Sequence, residues 1–299
     1  MAKFILRTCF PSPVSRDAMV HGARTLLFRK LPTPEPMDRI QSSLKKRLIT
    51  EDRFNWKPPS VKNLEVNQDS YSGEILKYVG GVDLSFSKND PSIACATLVV
   101  LDFSTLEVVH EDSAIVELSI PYVPGFLAFR EAPVLLELLE KMKKGALSSY
   151  PQVLMVDGNG LLHPRGFGLA CHLGVLADLP TIGIGKNLHH IDGLTQPKVR
   201  QLLETNGNSC NDIVPLIGDS GSTLGVAMRS TGGSVKPIFI SVGHRISLAS
   251  AVKIVELSCR YRVPEPIRQD QKIEKAKSTV LVFQADIRSK DHLRKHGVS

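Results

Sequence analysis

Three runs rich in β-branched residues, at 79–86, 93–101 and 107–116, predict consecutive strands that are separated by short polar turns. Apolar positions then take helical spacing over residues 131–144, where Pro133 is expected in the first turn of the helix. A meander of strands followed by alternating helix and strand predicts a mixed, partly parallel α/β sheet.

The alternation of short strands and helices continues through the second half of the chain. Strands are predicted at residues 153–157, 181–184, 214–217, 223–228 and 238–242. Helices are predicted near residues 168–176, 197–204 and 247–261, and a further helical pattern runs from residue 37 to residue 47. We expect Pro264 and Pro266 to end the ordered core.

Two of the apolar strands each carry one aspartate, Asp83 within the first strand and Asp157 at the end of the strand at 153–157. A carboxylate on a buried strand is costly unless it is paired or bound to a cation. Ligands of parallel sheets lie beyond the carboxyl ends of the strands, which is where Asp157 is expected. Together with Glu131, these acids predict a magnesium site for phosphodiester chemistry.

Charge is distributed unevenly along the 299 residues, whose net charge is +7. Residues 79–261 are net negative and hold the three acids, whereas both flanks are net positive. Basic flanks fit a protein that meets nucleic acid, although they are equally explained as solvated tails. No apolar run is long enough to cross a membrane, so a membrane partner is not expected.

The five cysteines are odd in number and include no C-x-x-C pair. This pattern argues against a disulfide framework or a zinc ribbon and favours a reducing intracellular compartment.

Five collinear motifs then narrow the interpretation. They are GGVDLSF at 80–86, PYVPG at 121–125 running into FRE at 129–131, DGNGLLHPRG at 157–166, GIGK at 183–186 and SVGHR at 241–245. In order and spacing this set resembles the endonuclease V family, and its first and last motifs resemble the animal members most. Pro164, after His163, is instead similar to bacterial members.

This resemblance implies a ribonuclease-H-like fold, a mixed sheet flanked by helices in a single domain. It implies a magnesium-dependent endonuclease, with Mn²⁺ expected to substitute, that cuts one nucleotide to the 3′ side of inosine. Animal relatives prefer single-stranded RNA, whereas bacterial relatives act well on DNA. We therefore expect RNA as the preferred substrate.

The resemblance also suggests roles for single residues. Asp83, Glu131 and Asp157 would be the metal ligands. His244 would position or deprotonate the attacking water, and Lys186 would place a positive charge near the scissile phosphate. A structural histidine and a surface lysine are the alternative explanations for the last two residues.

A second group of residues is expected to contact nucleic acid. Tyr122, held between two prolines, is predicted to enter the base stack as a wedge, although it is also explained as a packed loop residue. The remaining members are expected to support this wedge or to surround the flipped base: Pro121, Val123, Pro124, Gly125, Leu127, Gly158, Gly160, His163 and Gly183.

These expectations define a nuclease domain over residues 37–268. Residues 1–36 are interpreted as a disordered extension upstream of Met37, which resembles a start, and a mitochondrial transit peptide is the alternative. Residues 269–299 are interpreted as a basic tail. We expect a monomer of the cytoplasm or nucleus, including the nucleolus.

Three other functions remain open from the sequence. They are a non-catalytic inosine-RNA-binding protein, a deoxyinosine DNA-repair endonuclease, and a different ribonuclease-H-like nuclease such as a Holliday-junction resolvase.

Overall fold

A computed structural model describes residues 34–58, 74–87, 90–145, 147–205, 212–232, 234 and 236–273. The helices are α1 (Pro34–Lys45), α2 (Ala128–Lys144), α3 (Leu169–Ala177), α4 (Gln196–Thr205), α5 (Leu248–Leu257) and α6 (residues 265–273). The strands are β1 (Trp56–Lys57), β2 (Glu74–Ile75), β3 (Tyr78–Phe86), β4 (Ile93–Asp102), β5 (Val108–Glu117), β6 (Val153–Asp157), β7 (Thr181–Gly185), β8 (Ile213–Ile217), β9 (Thr223–Met228) and β10 (Ile238–His244).

Eight of these strands form one mixed sheet in the order β5-β4-β3-β6-β7-β10-β9-β8. The three central strands β3, β6 and β7 are parallel, whereas their neighbours β4 and β10 are antiparallel to them. Strands β1 and β2 form a separate parallel pair. The predicted mixed α/β sheet is therefore confirmed.

Both faces of the sheet are covered because successive side chains of a strand point to opposite sides. In β6, Leu154 and Val156 join the cluster that contains α2 and α3, whereas Val153 and Met155 join the cluster that contains α5. Asp157 is the next residue with the parity of Met155, so it follows on the α5 side. Two apolar layers thus enclose the parallel strands and leave their ends accessible.

Helices α2 and α5, like α1, have different limits from those predicted. Helix α2 begins at Ala128, three residues earlier than expected, so Pro133 lies in its second turn instead of its first. Helix α5 ends at Leu257, and the backbone N–H of Ser258 donates to carbonyls of its last turn.

The ordered core continues beyond the two prolines that were expected to end it. Pro266 is the second residue of α6, where a missing N–H leaves no helical bond unmade. Ile267 and Asp270 of this helix are fully buried, so α6 belongs to the packed core.

The chain before the first motif also contributes to the core. Helix α1 begins at Pro34, so residues 34–36 belong to this helix and not to the disordered extension predicted for residues 1–36. Met37 is fully buried against Ile120, Phe126 and Phe129. Residues 1–33 and 274–299, which hold most of the predicted extension and tail, lie outside the described residues. Among the helices that the structure describes, none is long and apolar enough to cross a bilayer.

Candidate active site

The parallel register of β3 and β6 places two aspartates side by side. The last pair in this register is Val82 with Val156, and the residues that follow are Asp83 and Asp157. Neighbouring strands lie about 4.8 Å apart, and residues at matched positions of parallel strands share a face of the sheet. Both side chains are half-buried, so a carboxylate pair lies at the carboxyl edge of the central strands.

Asp157 is neutralised by a lysine from the next strand. Lys186 directly follows β7, and its Nζ forms an ion pair with Oδ2 of Asp157. The same oxygen accepts a hydrogen bond of 2.8 Å from Nε2 of Gln271 in α6. The structure therefore places Lys186 beside a carboxylate of the predicted site, while its role at the phosphate stays a prediction.

Gln271 is a site residue that the sequence reasoning missed. It lies within the segment interpreted as a basic tail, and it is 114 residues from Asp157 along the chain. The sequence offered one signal for this helix. Proline is tolerated at the start of a helix as well as beyond its end, so Pro266 could have predicted a helix that begins there.

Glu131 completes the group from the first turn of α2. Its side chain is only 6% exposed. Burial and, to a smaller extent, the negative charge of Asp157 together raise the pKa of Glu131 to about 8, although the Arg130 guanidinium acts in the opposite direction. The charge of Asp157 thus acts with burial to favour the neutral form of Glu131.

The donor set fits a divalent cation in its chemistry. Within the described part of the chain, no group of three His, Cys, Asp or Glu side chains is arranged to hold a metal ion. Carboxylate oxygens are nevertheless the ligands that Mg²⁺ and Mn²⁺ prefer. The charge of a second acid contributes to the raised pKa of the buried Glu131, and a bound cation would relieve the repulsion between two such carboxylates. Asp83, Asp157 and Glu131 are therefore the residues that could hold the metal.

His244 lies away from this group, and its predicted role with the attacking water is not supported. It ends β10, which is antiparallel to β7, and it pairs with Thr181 at the start of that strand. Asp157 pairs instead with Ile184 near the end of the same strand. Thr181 and Ile184 are three residues apart, so His244 and Asp157 are separated by about 10 Å along the strand.

The surroundings of His244 explain it as a structural residue. The side chain is buried, and its Nδ1 accepts a hydrogen bond of 3.3 Å from the backbone N–H of Ile49. Burial lowers the pKa of His244 to about 4, and the charges of Arg245 and Arg47 act in the same direction while that of Asp178 opposes it. A neutral, hydrogen-bonded imidazole stabilises the fold at this end of the sheet.

The predicted wedge stands out from the surface. Tyr122 is 64% exposed, and Pro121 and Pro124 beside it are exposed as well. Val123 is half-buried and packs against the cluster of Phe126. This turn is therefore held at its base and presents its aromatic ring to solvent, while its contact with a base stack stays a prediction.

Gly125 ends the wedge in the left-handed region, with φ of +80°. A residue with a Cβ is strained in that conformation, so glycine is required by the turn itself. Leu127, which was expected to cover the flipped base, is half-buried immediately before α2.

Two of the four pocket glycines are accounted for by packing within the protein. A Cβ on Gly160 would overlap the carbonyl oxygen of Val242, and a Cβ on Gly183 would overlap the backbone nitrogen of Gly160. Both residues are buried. A base therefore cannot approach Gly160 or Gly183 from the side where a Cβ would lie, as had been expected, because protein backbone already occupies that space.

The remaining predicted pocket residues are half-buried in the loop after β6. A Cβ on Gly158 would make ordinary contact with the Leu169 side chain. The Nδ1 atom of His163 accepts a hydrogen bond of 3.2 Å from the Arg165 backbone. Burial lowers the pKa of His163 to about 4, and the charges of His189 and Lys45 contribute to the shift. His163 is thus a neutral side chain in this loop.

A family model described as "Endonuclease V" matches residues 61–272, which include all five motifs and most of the sheet. The chain belongs to the endonuclease V family. Endonuclease V from Homo sapiens is 48% identical over 262 residues, which cover 86% of this chain and 82% of that protein. Endonuclease V from Nostoc punctiforme is 40% identical over 240 residues, covering 80% and 92%.

Solved structures agree with this assignment. The catalytic domain of human endonuclease V matches with a TM-score of 0.74 at 44% identity, covering 82% of this chain and 97% of that one. Endonuclease V from Ciona intestinalis, solved in complex with a 24mer DNA containing an inosine followed by a ribo-adenosine, matches with a TM-score of 0.71 at 32% identity, covering 82% and 97%. The chain is accordingly an endonuclease.

Proposed function

We propose that this endonuclease V family member is a metal-dependent enzyme that cuts inosine-containing strands one nucleotide to the 3′ side of the base, with single-stranded RNA preferred. One observation carries the proposal. Asp83 and Asp157 lie side by side at the carboxyl edge of the parallel strands, Lys186 is paired with Asp157, and the charge of Asp157 acts on the buried Glu131. Such an edge is where open α/β sheets bind their ligands.

Each residue in this group has a separate part in the proposed chemistry. A divalent cation held by Asp83, Asp157 and Glu131 would supply an activated water and would stabilise the charge of the phosphate and of the leaving oxygen. Magnesium is the metal proposed, with manganese able to replace it because both accept carboxylate oxygens. Lys186 would bring an ammonium to the phosphate.

Inosine recognition is proposed from the wedge and from the relatives. Tyr122 is exposed on a turn between two prolines, which suits an aromatic side chain that separates stacked bases. The Ciona intestinalis relative was crystallised with an inosine-containing strand in which a ribonucleotide follows the inosine. A ribonucleotide at that position supports RNA as the preferred substrate of this chain, because the 2′-hydroxyl distinguishes RNA from DNA.

We further propose that the enzyme acts as a monomer in the cytoplasm or nucleus. Within the described residues, Cys95, Cys171 and Cys259 form no disulfide bond, which fits a reducing compartment.

The decisive experiment compares four matched oligonucleotides, which are single-stranded RNA and DNA of the same sequence with one inosine or with adenosine in its place. Cleavage is followed under single-turnover conditions in magnesium, in manganese and in a chelator, and products are sized to one nucleotide. We expect metal-dependent cutting one nucleotide 3′ of inosine, with the RNA cut faster than the DNA.

The other outcomes would each replace part of the proposal. Faster cutting of DNA would favour a deoxyinosine repair enzyme. Inosine-dependent binding without cutting in either metal would favour a non-catalytic inosine-binding protein. Equal cutting of inosine and adenosine strands would leave a ribonuclease-H-like nuclease without base recognition.

A further inference from the structure

Gln41 of helix α1 connects the wedge turn to the loop that follows Asp157. This helix lies before residue 61, where the match to the family model begins. The Gln41 side chain is 2% exposed, and its Nε2 donates hydrogen bonds to the carbonyl oxygens of Gly125 at 3.3 Å and Phe167 at 3.2 Å. One amide group thus satisfies two loops that are 42 residues apart along the chain.

The carbonyl end of the same amide is also used. Oε1 of Gln41 accepts a hydrogen bond from Nε of Arg165, and the guanidinium of Arg165 forms an ion pair with Asp38 one turn earlier in α1. The Arg165 guanidinium also lies 4.6 Å from the centre of the Phe126 ring, at the base of the wedge. Both ends of the amide therefore have partners in the two loops.

Apolar contacts fix α1 against the same two loops. Met37 packs with Phe126 in one cluster, and Leu44 packs with Phe167 in another. These contacts flank Gln41 on both sides. If the two loops moved apart, the Gln41 amide would therefore lose at least one buried hydrogen bond.

We propose that Gln41 is a positioning residue that holds the Pro121–Gly125 wedge at a set distance from the loop after Asp157, an inference that rests on the proposed function. A wedge separates bases effectively only when its base is rigidly connected to the site that receives the displaced nucleotide. Gln41 itself is buried and acts through Gly125, Phe167 and Arg165.

The sharpest variant is Gln41→Glu. It keeps the acceptor for Arg165 and nearly the same volume, but it removes both donors and places a carboxylate beside two carbonyl oxygens. Ser42→Ala, which changes an exposed residue of the same helix, is the matched control. Leu139→Ala removes a buried side chain from α2, in a cluster that contains neither Gln41 nor its partners, so it reports the effect of reduced stability alone.

The test is a double-mutant cycle with Tyr122→Ala, measured as single-turnover cleavage of the inosine strand that the wild type cuts. We expect Gln41→Glu to slow cleavage about tenfold in the wild-type background and less than about twofold in the Tyr122→Ala background. Leu139→Ala should change cleavage by the same factor in both backgrounds at a temperature where all variants are folded.

Two results would overturn the inference. They are equal factors for Gln41→Glu in both backgrounds, or wild-type rates in Gln41→Glu. If Gln41→Glu does not fold, Arg165→Lys enters the same cycle, because it keeps a charge near Asp38 but loses the Nε donor and the planar contact with Phe126. A wild type that ignores inosine would instead reject the proposed function, so the two failures are distinguishable.

Discussion

Lys186 follows one end of β7 beside Asp157, whereas Thr181 begins the other end beside His244. At the first end, Glu131 is buried next to a second acid, and its pKa is raised. At the second end, His244 is buried with a hydrogen-bond partner, and its pKa is lowered, which keeps it neutral. Five residues of strand thus separate two different solutions to burying polar groups.

The difference separates chemistry from stability. Like charges that are buried together destabilise the folded chain, and they are typical of sites that bind a cation or perform a reaction. A neutral imidazole that accepts a backbone hydrogen bond satisfies a donor that would otherwise be unpaired. We therefore expect substitutions at the Asp157 end to change activity, and substitutions at the His244 end to change stability.

The largest effect is expected for Asp157→Asn. Loss of this charge removes a proposed metal ligand and the ion-pair partner of Lys186, so cleavage should fall by about 10³-fold or more while inosine-strand binding is largely retained. Asp178→Asn is the matched control, because Asp178 is an exposed acid paired with Arg245 near the His244 end. Single-turnover cleavage and filter binding measure both quantities. A wild-type rate in Asp157→Asn would contradict the metal-site assignment.

Lys186→Met removes the positive partner of Asp157 at the same end of β7. The variant keeps the length of the side chain but removes the ammonium, and we expect cleavage to fall by about 10²-fold at saturating metal. The control is Lys198→Met, which removes an ammonium that pairs with Asp219 on the surface. A loss in Lys186→Met that excess metal fully restores would indicate a role in metal binding instead of one at the phosphate.

Glu131→Gln should change how stability depends on pH in metal-free protein. The pKa of Glu131 is about 8 in the folded state against an ordinary 4.5, so the folded protein keeps a proton that the unfolded chain releases. The free energy of unfolding of the wild type therefore falls as pH rises from about 4.5 to about 8. In Glu131→Gln this decline should be smaller, giving a gain of about 1–3 kcal/mol at pH 8.

Chemical denaturation in a chelator across this pH range measures that difference. Glu137→Gln, an exposed position of the same helix, should keep the slope of the wild type. Parallel curves for wild type and Glu131→Gln would show that Glu131 does not hold a proton in the folded state.

The smallest effect on activity is expected for His244→Leu. Ile49 loses its hydrogen-bond acceptor, so the free energy of unfolding should fall by about 1–3 kcal/mol. Cleavage per folded molecule should stay within about threefold of the wild type, since the imidazole lies about 10 Å along the strand from the carboxylates. A loss of cleavage comparable to that of Asp157→Asn, at unchanged stability, would restore His244 to the chemistry.

Runs rich in β-branched residues predicted the mixed sheet, and the single acids on those runs indicated a carboxylate site, whereas Lys186 was assigned only through the resemblance to endonuclease V. The position of the acids could be predicted because parallel strands end at the same edge of a sheet, so residues at their carboxyl ends lie near one another. The position of Asp157 follows from that rule, whereas Glu131 and Lys186 were predicted because they belong to motifs of the family.

Only the tertiary structure decided the remaining features. His244 ends a strand just as Asp157 does, but β10 runs antiparallel to β7, and strand direction is not encoded in the local pattern. Gln271 and Gln41 reach their partners across 114 and 126 residues of sequence, where periodicity carries no information. Gly160 and Gly183 are required by backbone atoms that packing alone brings against them. Long-range packing therefore decided which polar residues enter the site and which support the fold.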